Sequence, residues 1–457
     1  MKKNVIKASY FITGDSIVEE VLVSGYPDPS IRFAVCNYET KKVSYASDII
    51  LDNGAILQPL TGDIITKGVV LLPSQAEPYL SEAVLIKDIE SFINCYLDLP
   101  HEFYLKLVSY YVLLTWVYDK LSVIPYLRAI GDYGSGKTRF AQVVGSICYK
   151  PFFLTGATSD AFIFRMIELV KGTMVINELE RINSDLQAQI TVILNNGYEK
   201  KMYIGRVEGD RTKVPTTFDA FSPKIITSRG KSKDLALESR ILSIPMKPTK
   251  RKDIPTMLDD SFWAEATLIR NKLLTYRFNN LYALPTQGKE ERLNGVEPRL
   301  KQTLLPLLYV IQDKSMEDEL INYALDFQEQ IFSDRSFELE ALIAEKLVNL
   351  FDNNDKVGVK DVWESINKEL DDKEKITTKA VGLRVRGFGF KTKRIQGVYQ
   401  IEYSQPVILY LKERYSLTTF QEGSPQTPPS PPADSASEVD IVDMGDNRQM
   451  TLGKEGV

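Results

Sequence analysis

A glycine-rich stretch that ends in a lysine and a hydroxyl residue constrains the fold of this 457-residue chain more than any other feature. It reads Gly131-Asp132-Tyr133-Gly134-Ser135-Gly136-Lys137-Thr138 and matches the pattern G-x-x-x-x-G-K-[ST] in full. A short apolar segment, 126–130, precedes it, and a helix-forming segment, 138–144, follows it. Strand, loop and helix in this order are the context in which the pattern binds phosphates. The pattern therefore predicts an α/β core built around a nucleotide site.

The residue types in this loop suit a nucleotide and its magnesium ion. Glycines let backbone N–H groups wrap a phosphate at the positive start of a helix. Lys137 would place a charge on the β- and γ-phosphates, and Thr138 would offer a hydroxyl to Mg²⁺. We therefore expect ATP and Mg²⁺ as cofactors, held by Gly131, Gly134, Ser135, Gly136, Lys137 and Thr138.

A second apolar segment, 172–176, ends in Asn177 and Glu178. A P-loop ATPase needs an acidic residue at the end of a neighbouring strand, and we expect Glu178 to orient the attacking water as general base. The usual pair is Asp-Glu. The amide of Asn177 can still orient a water on Mg²⁺, but without negative charge it should weaken metal affinity and slow hydrolysis. Glu180 is an alternative base, although a solvated acid is the simpler interpretation.

A third apolar segment, 221–226, ends in Thr227 and Ser228. If this strand lies between the other two, either hydroxyl would stand beside the γ-phosphate as a sensor of the nucleotide. We expect Thr227 to take part in catalysis in this way. A strand followed by a capped turn is the alternative.

Arg240 follows twelve residues after Ser228, just ahead of another apolar strand. With this arginine the segments resemble the AAA+-like P-loop ATPases, in particular the helicase-type ATPases of phages, plasmids and integrated elements. The resemblance runs from about residue 113 to 246 and extends more loosely to the C-terminal part. It is carried by Leu114-Thr115-Trp116-Val117-Tyr118-Asp119, the glycine-rich loop, Leu194-Asn195-Asn196-Gly197-Tyr198, Ser222-Pro223-Lys224 and Leu237-Glu238-Ser239-Arg240.

The resemblance implies roles for two arginines. Arg240 would be an arginine finger that reaches the γ-phosphate of a neighbouring subunit, which requires a homo-oligomeric ring. A surface ion pair with Glu238 is the alternative. Arg299 begins a helix in what would be the lid of the ATPase and could lean over the nucleotide. A plain helix-start arginine is the alternative there.

Changes in residue pattern divide the chain into six predicted parts. They are a β-rich module at 1–80, helices packing on the core at 81–120, an α/β P-loop NTPase core of the AAA+-like type at 121–250, a helical lid at 251–336, a winged-helix domain at 337–416 and a disordered acidic Pro/Ser-rich tail at 417–457. Seven acids against two basic residues between 421 and 457 account for the whole formal net charge of -5. The acidic tail and the N-terminal module are candidate docking segments for a protein partner.

Basic residues concentrate in the predicted winged helix. Between 373 and 394 eight of them face one acid, Glu374. They fall on the third helix and the wing, where each can neutralise a phosphate and release counterions. The expected DNA contacts are Lys379, Arg384, Arg386, Lys391, Lys393 and Arg394. A winged helix that docks onto protein is the alternative.

Composition excludes several classes of protein. A single histidine, His101, cannot form a catalytic triad or a histidine-rich metal site, and its place after Pro100 indicates a helix start. The three cysteines are too far apart for a disulfide scaffold or metal cluster, and we expect them to be buried thiols. The longest apolar stretch, 107–118, is well short of the ~20 residues that span a bilayer. No signal-peptide pattern opens the chain, so a cytoplasmic protein without membrane contact is expected.

These features together predict an ATP hydrolase that works as a DNA motor, a helicase or translocase of a mobile element. A nucleotide-gated DNA-binding protein, such as a replication initiator or regulator with little turnover, is the competing class, and Asn177 favours it. An ATPase that remodels protein partners is a third class.

Overall fold

The computed structural model describes residues 4–23, 30–156, 158–182, 184–208, 214–232, 234–354, 356–370, 375–395, 397–415 and 417. The chain divides into two compact units, Met1–Asp334 and Arg335–Val457, and each is described by itself. The predicted tail lies outside the described residues except for Leu417, which packs against the core of the second unit.

The N-terminal part of the first unit is β-rich. Its elements are β1 (Val5–Lys7), β2 (Tyr10–Ile12), β3 (Ser16–Val23), β4 (Ser30–Asn37), β5 (Val43–Ala46), β6 (Ile49–Ile50), β7 (Ile56–Gln58) and the short helix α1 (Asp63–Thr66). Strands β2-β3-β4-β5 form one sheet, and β1-β7-β6 form a second. Val18, Phe33 and Leu57 are buried together in a small apolar cluster of their own.

Two helices follow, α2 (Glu82–Tyr96) and α3 (Glu102–Val117). His101 caps α3, since its Nδ1 accepts a hydrogen bond from the Phe103 N–H at 3.1 Å, as a helix-start position predicts. Nearly every residue of α3 from Leu107 onward is buried, which explains its unbroken apolar sequence. One expectation is wrong: Cys95 is exposed, because the buried side chains of α2 lie on the opposite face, whereas the other two cysteines are buried.

A five-stranded parallel sheet forms the centre of the first unit. In chain order the elements are β8 (Tyr126–Ile130), α4 (Lys137–Ile147), β9 (Phe152–Leu154), α5 (Asp160–Val170), β10 (Met174–Ile176), α6 (Ser184–Asn196), β11 (Tyr203–Glu208), β12 (Val214–Asp219), β13 (Lys224–Ser228), α7 (Leu235–Glu238) and β14 (Ile241–Pro245). The strand order is β14-β8-β13-β10-β9, and β11 pairs only with β12 as a separate hairpin. The sheet is the expected α/β core. Because all five strands run parallel, the segments after β8, β10 and β13 share its carboxyl edge.

Three helices complete the first unit and lead into the second: α8 (Asp260–Asn280), α9 (Pro298–Val310) and α10 (Lys314–Asn353). Buried residues of α8 and α9 belong to the same apolar core as those of α3 and α4. The 40-residue helix α10 runs through the boundary predicted between 336 and 337. Its sequence contains neither Gly nor Pro, so nothing in it ends a helix there.

A buried ion cluster ties the N-terminal sheet to the helices and the core. Glu19 on β3 accepts a hydrogen bond from Arg277 Nε at 2.6 Å and pairs with Lys150 Nζ at 2.7 Å. Arg277 also holds both carboxylate oxygens of Asp119, at 2.8 and 2.7 Å. Removing one member of a buried ion pair typically costs about 3–5 kcal/mol, because its partner stays charged and unpaired. The cluster therefore fixes β3 against α8.

The second unit combines helices with a small antiparallel sheet. After the end of α10 come β15 (Val357–Gly358), α11 (Val359–Asn367), α12 (Thr378–Gly387), β16 (Thr392–Ile395), β17 (Val398–Ile401) and α13 (Gln405–Arg414). The sheet order is β15-β17-β16. Its apolar core draws on every helix, for example Ile343, Val362, Val385 and Ile408. The winged-helix assignment for this part of the chain stays a prediction.

Candidate nucleotide site

The glycine-rich loop joins the end of β8 to the start of α4 in a shape that requires glycine. Gly134 and Gly136 have φ angles of 75° and 87°, in the left-handed region that side chains disfavour. A Cβ atom on Gly131 would lie 2.5 Å from the Met246 carbonyl oxygen. The backbone is thus wound tightly just ahead of a helix N-terminus, as a phosphate-binding loop needs to be.

The polar side chains of this loop also fit a phosphate group. Lys137 is 7% exposed, and its Nζ donates to the carbonyl oxygens of Gly131 and Asp132 at 2.7 Å each. The Ser135 hydroxyl is buried without a hydrogen-bond partner among the described residues. Thr138 is exposed at the first turn of α4. An ammonium group held by two carbonyls can move its hydrogen bonds to phosphate oxygens, and such bonds between ions are the stronger ones.

Asn177 and Glu178 form a sharp corner directly after β10. The Glu178 N–H donates to Thr227 Oγ1 at 2.7 Å, and that hydroxyl donates in turn to Asn177 Oδ1 at 2.9 Å. Glu178 has a φ of 53°, a left-handed conformation that costs a non-glycine residue on the order of 1–3 kcal/mol. The fully buried Thr227 on β13 therefore holds the corner in place from the neighbouring strand.

This geometry changes the role expected for Thr227. The sequence predicts a hydroxyl beside the γ-phosphate, but the Thr227 hydroxyl is already bonded to Asn177 and Glu178. Thr227 thus acts on the nucleotide only through the corner, as a positioning residue. Ser228 donates its hydroxyl to the Gly230 carbonyl at 2.8 Å. Its own carbonyl accepts from the Gly131 N–H at 3.3 Å, which ties the end of β13 to the loop.

Glu180, the alternative base, has a different partner. Its Oε1 accepts a hydrogen bond from the Arg229 N–H at 3.0 Å and lies 3.8 Å from Arg229 Nε. This carboxylate therefore helps to hold the turn after β13. Glu178 is the better placed of the two acids, since it directly follows the strand.

Arg240 lies at the opposite edge of the sheet. Met246 donates its N–H to the Ile130 carbonyl, directly before the loop, whereas Arg240 comes six residues earlier, ahead of β14. At about 3.3 Å per residue in a strand, roughly 20 Å separate the two positions. Arg240 therefore cannot reach the loop of its own chain. Its Nη1 donates to the backbone carbonyl and the side-chain oxygen of Asn195, at 3.0 and 2.8 Å.

The alternative of an ion pair between Arg240 and Glu238 is wrong. Both carboxylate oxygens of Glu238 bind the buried Arg128 on β8, at 2.5 and 2.7 Å. Arg240 is instead half-buried at the carboxyl end of α6, where the helix dipole favours a cation. Burial and the nearby Arg299 lower the pKa of Arg240.

The prediction that Arg299 leans over the nucleotide of its own chain is also wrong. Its Nε donates to the Ser239 hydroxyl at 3.1 Å, next to Arg240 and away from the loop. Both guanidinium groups lie over the ring of Tyr198, with ring-centre distances of 5.5 Å for Arg240 and 5.8 Å for Arg299. The two arginines thus form one cluster at the amino edge of the sheet.

The predicted DNA contacts lie in the second unit, and most are exposed. Lys379 and Arg386 are exposed and lie seven residues apart, on one face of α12. Lys391, Lys393 and Arg394 are exposed on and beside the ribbon of β16 and β17. Arg384 differs, because it lines a cavity of about 340 Å³ with Tyr410 and Arg414 on another face. The six residues therefore do not form one continuous surface.

Sequence reasoning missed the hairpin of β11 and β12. It lies in the chain between the acidic corner and β13, with Tyr203 paired to Asp219 and Glu208 to Val214. Alternating apolar and polar residues in 214–219 are the signal that could have found it. In the described part of the chain no group of three or more His, Cys, Asp or Glu side chains is placed to bind a metal. No helix there is both long and apolar enough to cross a bilayer.

No protein-family model matches this chain, and no curated protein matches it. Among solved structures it is similar to the NrS-1 C-terminal region, at 11% identity and a TM-score of 0.32, over 85% of this chain and 96% of that one. It is similar to an MCM homolog from Methanopyrus kandleri at 11% identity and a TM-score of 0.36, over 68% of this chain and 78% of that one. It is also similar to JCV helicase at 13% identity and a TM-score of 0.26, over 56% and 62%. At such scores the function has to be argued from the site itself.

Proposed function

We propose that this protein hydrolyses ATP and couples hydrolysis to movement on DNA or to separation of its strands, as a ring of identical subunits. The observation that carries the proposal is the corner at Asn177 and Glu178. It lies at the same edge of the sheet as the phosphate-binding loop, and β13 is the one strand between them. Thr227, from that strand, bonds both residues of the corner.

The residues divide the work of hydrolysis among them. The loop N–H groups and Lys137 bind the phosphates and stabilise the charge that develops on them. Glu178 orients the attacking water. Mg²⁺ bound with the nucleotide would neutralise charge on the β- and γ-phosphates, and Thr138 and Asn177 are the residues to hold it.

A ring follows from the position of Arg240. An arginine that stabilises the transition state has to reach the γ-phosphate, and Arg240 lies roughly 20 Å from its own loop. The amino edge of one subunit would have to face the loop of the next. The contact with Asn195 holds Arg240 at that edge while leaving its Nε without a partner among the described residues.

DNA is the proposed partner because of charge. The exposed cations of the second unit, with Lys379 and Arg386 on one helix face, offer phosphate contacts that do not depend on sequence. The hairpin of β11 and β12 is a second candidate contact, since it follows the corner in the chain and would sense changes there. The mobile-element setting rests on the sequence resemblance alone.

The proposal is tested by ATP hydrolysis of the full chain with and without single- and double-stranded DNA. Lys137→Ala should lose ATP binding and hydrolysis, whereas Glu178→Gln should still bind ATP and lose turnover. Lys67→Ala, which removes an exposed lysine paired only with Asp63 four residues away, is the matched control and should behave like the parent. A Glu178→Gln protein that hydrolyses ATP at the parent rate would show that the base is misassigned.

A second function is favoured by one observation, the neutral side chain of Asn177. Its oxygen already accepts the Thr227 hydroxyl, so it offers Mg²⁺ no charge and shares its lone pairs. A nucleotide-gated DNA-binding protein with little turnover would tolerate this. That function would be supported if ATP binds tightly, changes DNA affinity and is hydrolysed at the same slow rate with and without DNA.

A further inference from the structure

The ribbon of β16 and β17 exposes apolar side chains where its two strands approach their turn. Ile395, Val398 and Tyr399 are 45%, 46% and 51% exposed, although each could have been polar without disturbing a core. Ile401, further along the same strand, is 5% exposed and packs in the core of the unit. The apolar residues near the turn therefore do not serve the folding of this unit.

Strand register places these side chains on both faces of the ribbon. Ile395 is paired with Val398, and Arg394 with Tyr399, and residues directly opposite each other share a face. One face of the tip is thus an aliphatic pair. The other is an arginine beside an aromatic ring, with the guanidinium 5.9 Å from the ring centre. We call these four residues the wing tip.

Cations surround the wing tip. Lys391, Lys393 and Arg394 are all exposed within five residues, and of these Lys393 pairs with Glu402 at 2.9 Å. A membrane or an apolar protein groove would match the aliphatic pair but not this density of positive charge. Nucleic acid with unpaired bases matches both, because its phosphates need cations and its base faces stack on aromatic and apolar side chains.

We propose that the wing tip binds the junction between duplex and single-stranded DNA, with Tyr399, Ile395 and Val398 packing on the last base pair or on the first unpaired bases. In an intact duplex base faces are covered by their neighbours, so only an end or a junction offers a face for this contact. The cations alone would bind duplex and junction equally. This inference rests on the proposed DNA partner, but it does not require that the protein hydrolyse ATP.

The test uses the full-length protein without nucleotide and compares two DNA probes of the same sequence, a blunt duplex and a fork with two unpaired arms. The triple variant Ile395→Ser, Val398→Ser and Tyr399→Ser should bind the fork about tenfold more weakly, in line with base stacking of about 1–3 kcal/mol per base. Its affinity for the blunt duplex should stay within about twofold of the parent value. Tyr399→Phe keeps the ring and should keep fork binding, which separates stacking from any damage to the fold.

Two further variants frame the result. Leu409→Ser and Tyr410→Ser remove exposed apolar side chains of the same unit, on α13, and should change neither affinity. Lys391→Ala with Arg394→Ala should weaken both probes and lower the log-log salt slope by about 0.9 per phosphate lost. Equal loss on fork and duplex in the triple variant, or unchanged fork binding at an unchanged melting temperature, would overturn the inference. Absence of ATP hydrolysis would count against the motor and leave this test standing.

Discussion

The two edges of the central sheet carry different kinds of side-chain clusters. At the carboxyl edge, the loop and the corner at Asn177 and Glu178 lie together, and Thr227 and the Ser228 carbonyl bind them to the strand between. At the amino edge, Arg240 and Arg299 gather over Tyr198. One edge can hold a nucleotide but has no arginine beside it, and the other presents arginines that have no phosphate of their own. The difference indicates that each subunit supplies half of a catalytic site.

The largest expected change within one edge concerns Thr227. Thr227→Val keeps the shape of the buried side chain but removes both hydrogen bonds to the corner, so the strained backbone at Glu178 loses its anchor. We expect ATP turnover to fall by about 10- to 100-fold while the Kd for ATP changes little. Thr227→Ser keeps the hydroxyl and should remain within a few-fold of the parent. If the two variants are equally active, Thr227 does not position the corner.

A smaller effect, on stability, has to be separated from effects at either edge. Glu20 on β3 is buried, and no described residue donates a hydrogen bond to its carboxylate. Burial raises the pKa of Glu20 to about 8. Because the folded state holds its proton more tightly than the unfolded chain, stability falls as pH rises from about 4.5 to 8, by up to about 1.4 kcal/mol per pH unit.

Glu20→Gln removes this titration. The melting temperature of the parent should therefore drop relative to Glu20→Gln between pH 5.5 and 8, whereas Glu39→Gln, on an exposed turn, should follow the parent. Parallel melting curves for parent and Glu20→Gln across this range would show that the carboxyl is not titrating in the folded state. Activity profiles at different pH values can then be corrected for the folded fraction.

The smallest expected effect sharpens the contrast most. Arg299 lies at the amino edge, bonded to Ser239, so Arg299→Ala should leave ATP binding by isolated subunits within about twofold of the parent value. Lys137→Ala, at the other edge, should abolish it. Calorimetry at a protein concentration too low for assembly measures this. A large loss of affinity in Arg299→Ala subunits would place the arginine at its own nucleotide after all.

Sequence patterns located the carboxyl edge well because each of its polar residues directly follows an apolar strand of its own. The glycine-rich loop, Glu178 and Thr227 could all be named before their contacts were known. The hydrogen bonds from Thr227 to its neighbours could not, since they depend on which strands are adjacent. The α/β core is confirmed by the parallel sheet.

Tertiary contacts explain the failures. Arg299 is misplaced because Thr303, on the same helix, bonds the Ser239 carbonyl at 2.9 Å and so brings α9 to the amino edge. Cys95 is exposed because the apolar face of α2 lies on its other side. The boundary at 336 disappears in α10, where the change of pattern marks a change of packing partner rather than a break in the helix.

The central claim, that the amino edge of one subunit completes the nucleotide site of the next, is tested most directly by mixing two inactive proteins. Arg240→Ala should bind ATP but lose hydrolysis by about 10³- to 10⁵-fold, the range for arginine fingers that act between chains. Lys137→Ala should bind no ATP but still present its arginine. Mixed in equal amounts, the two should recover a fraction of the parent rate, because some interfaces then pair an intact loop with an intact arginine. A mixture that stays inactive although the two proteins assemble, or an Arg240→Ala protein that hydrolyses ATP normally, would contradict the claim.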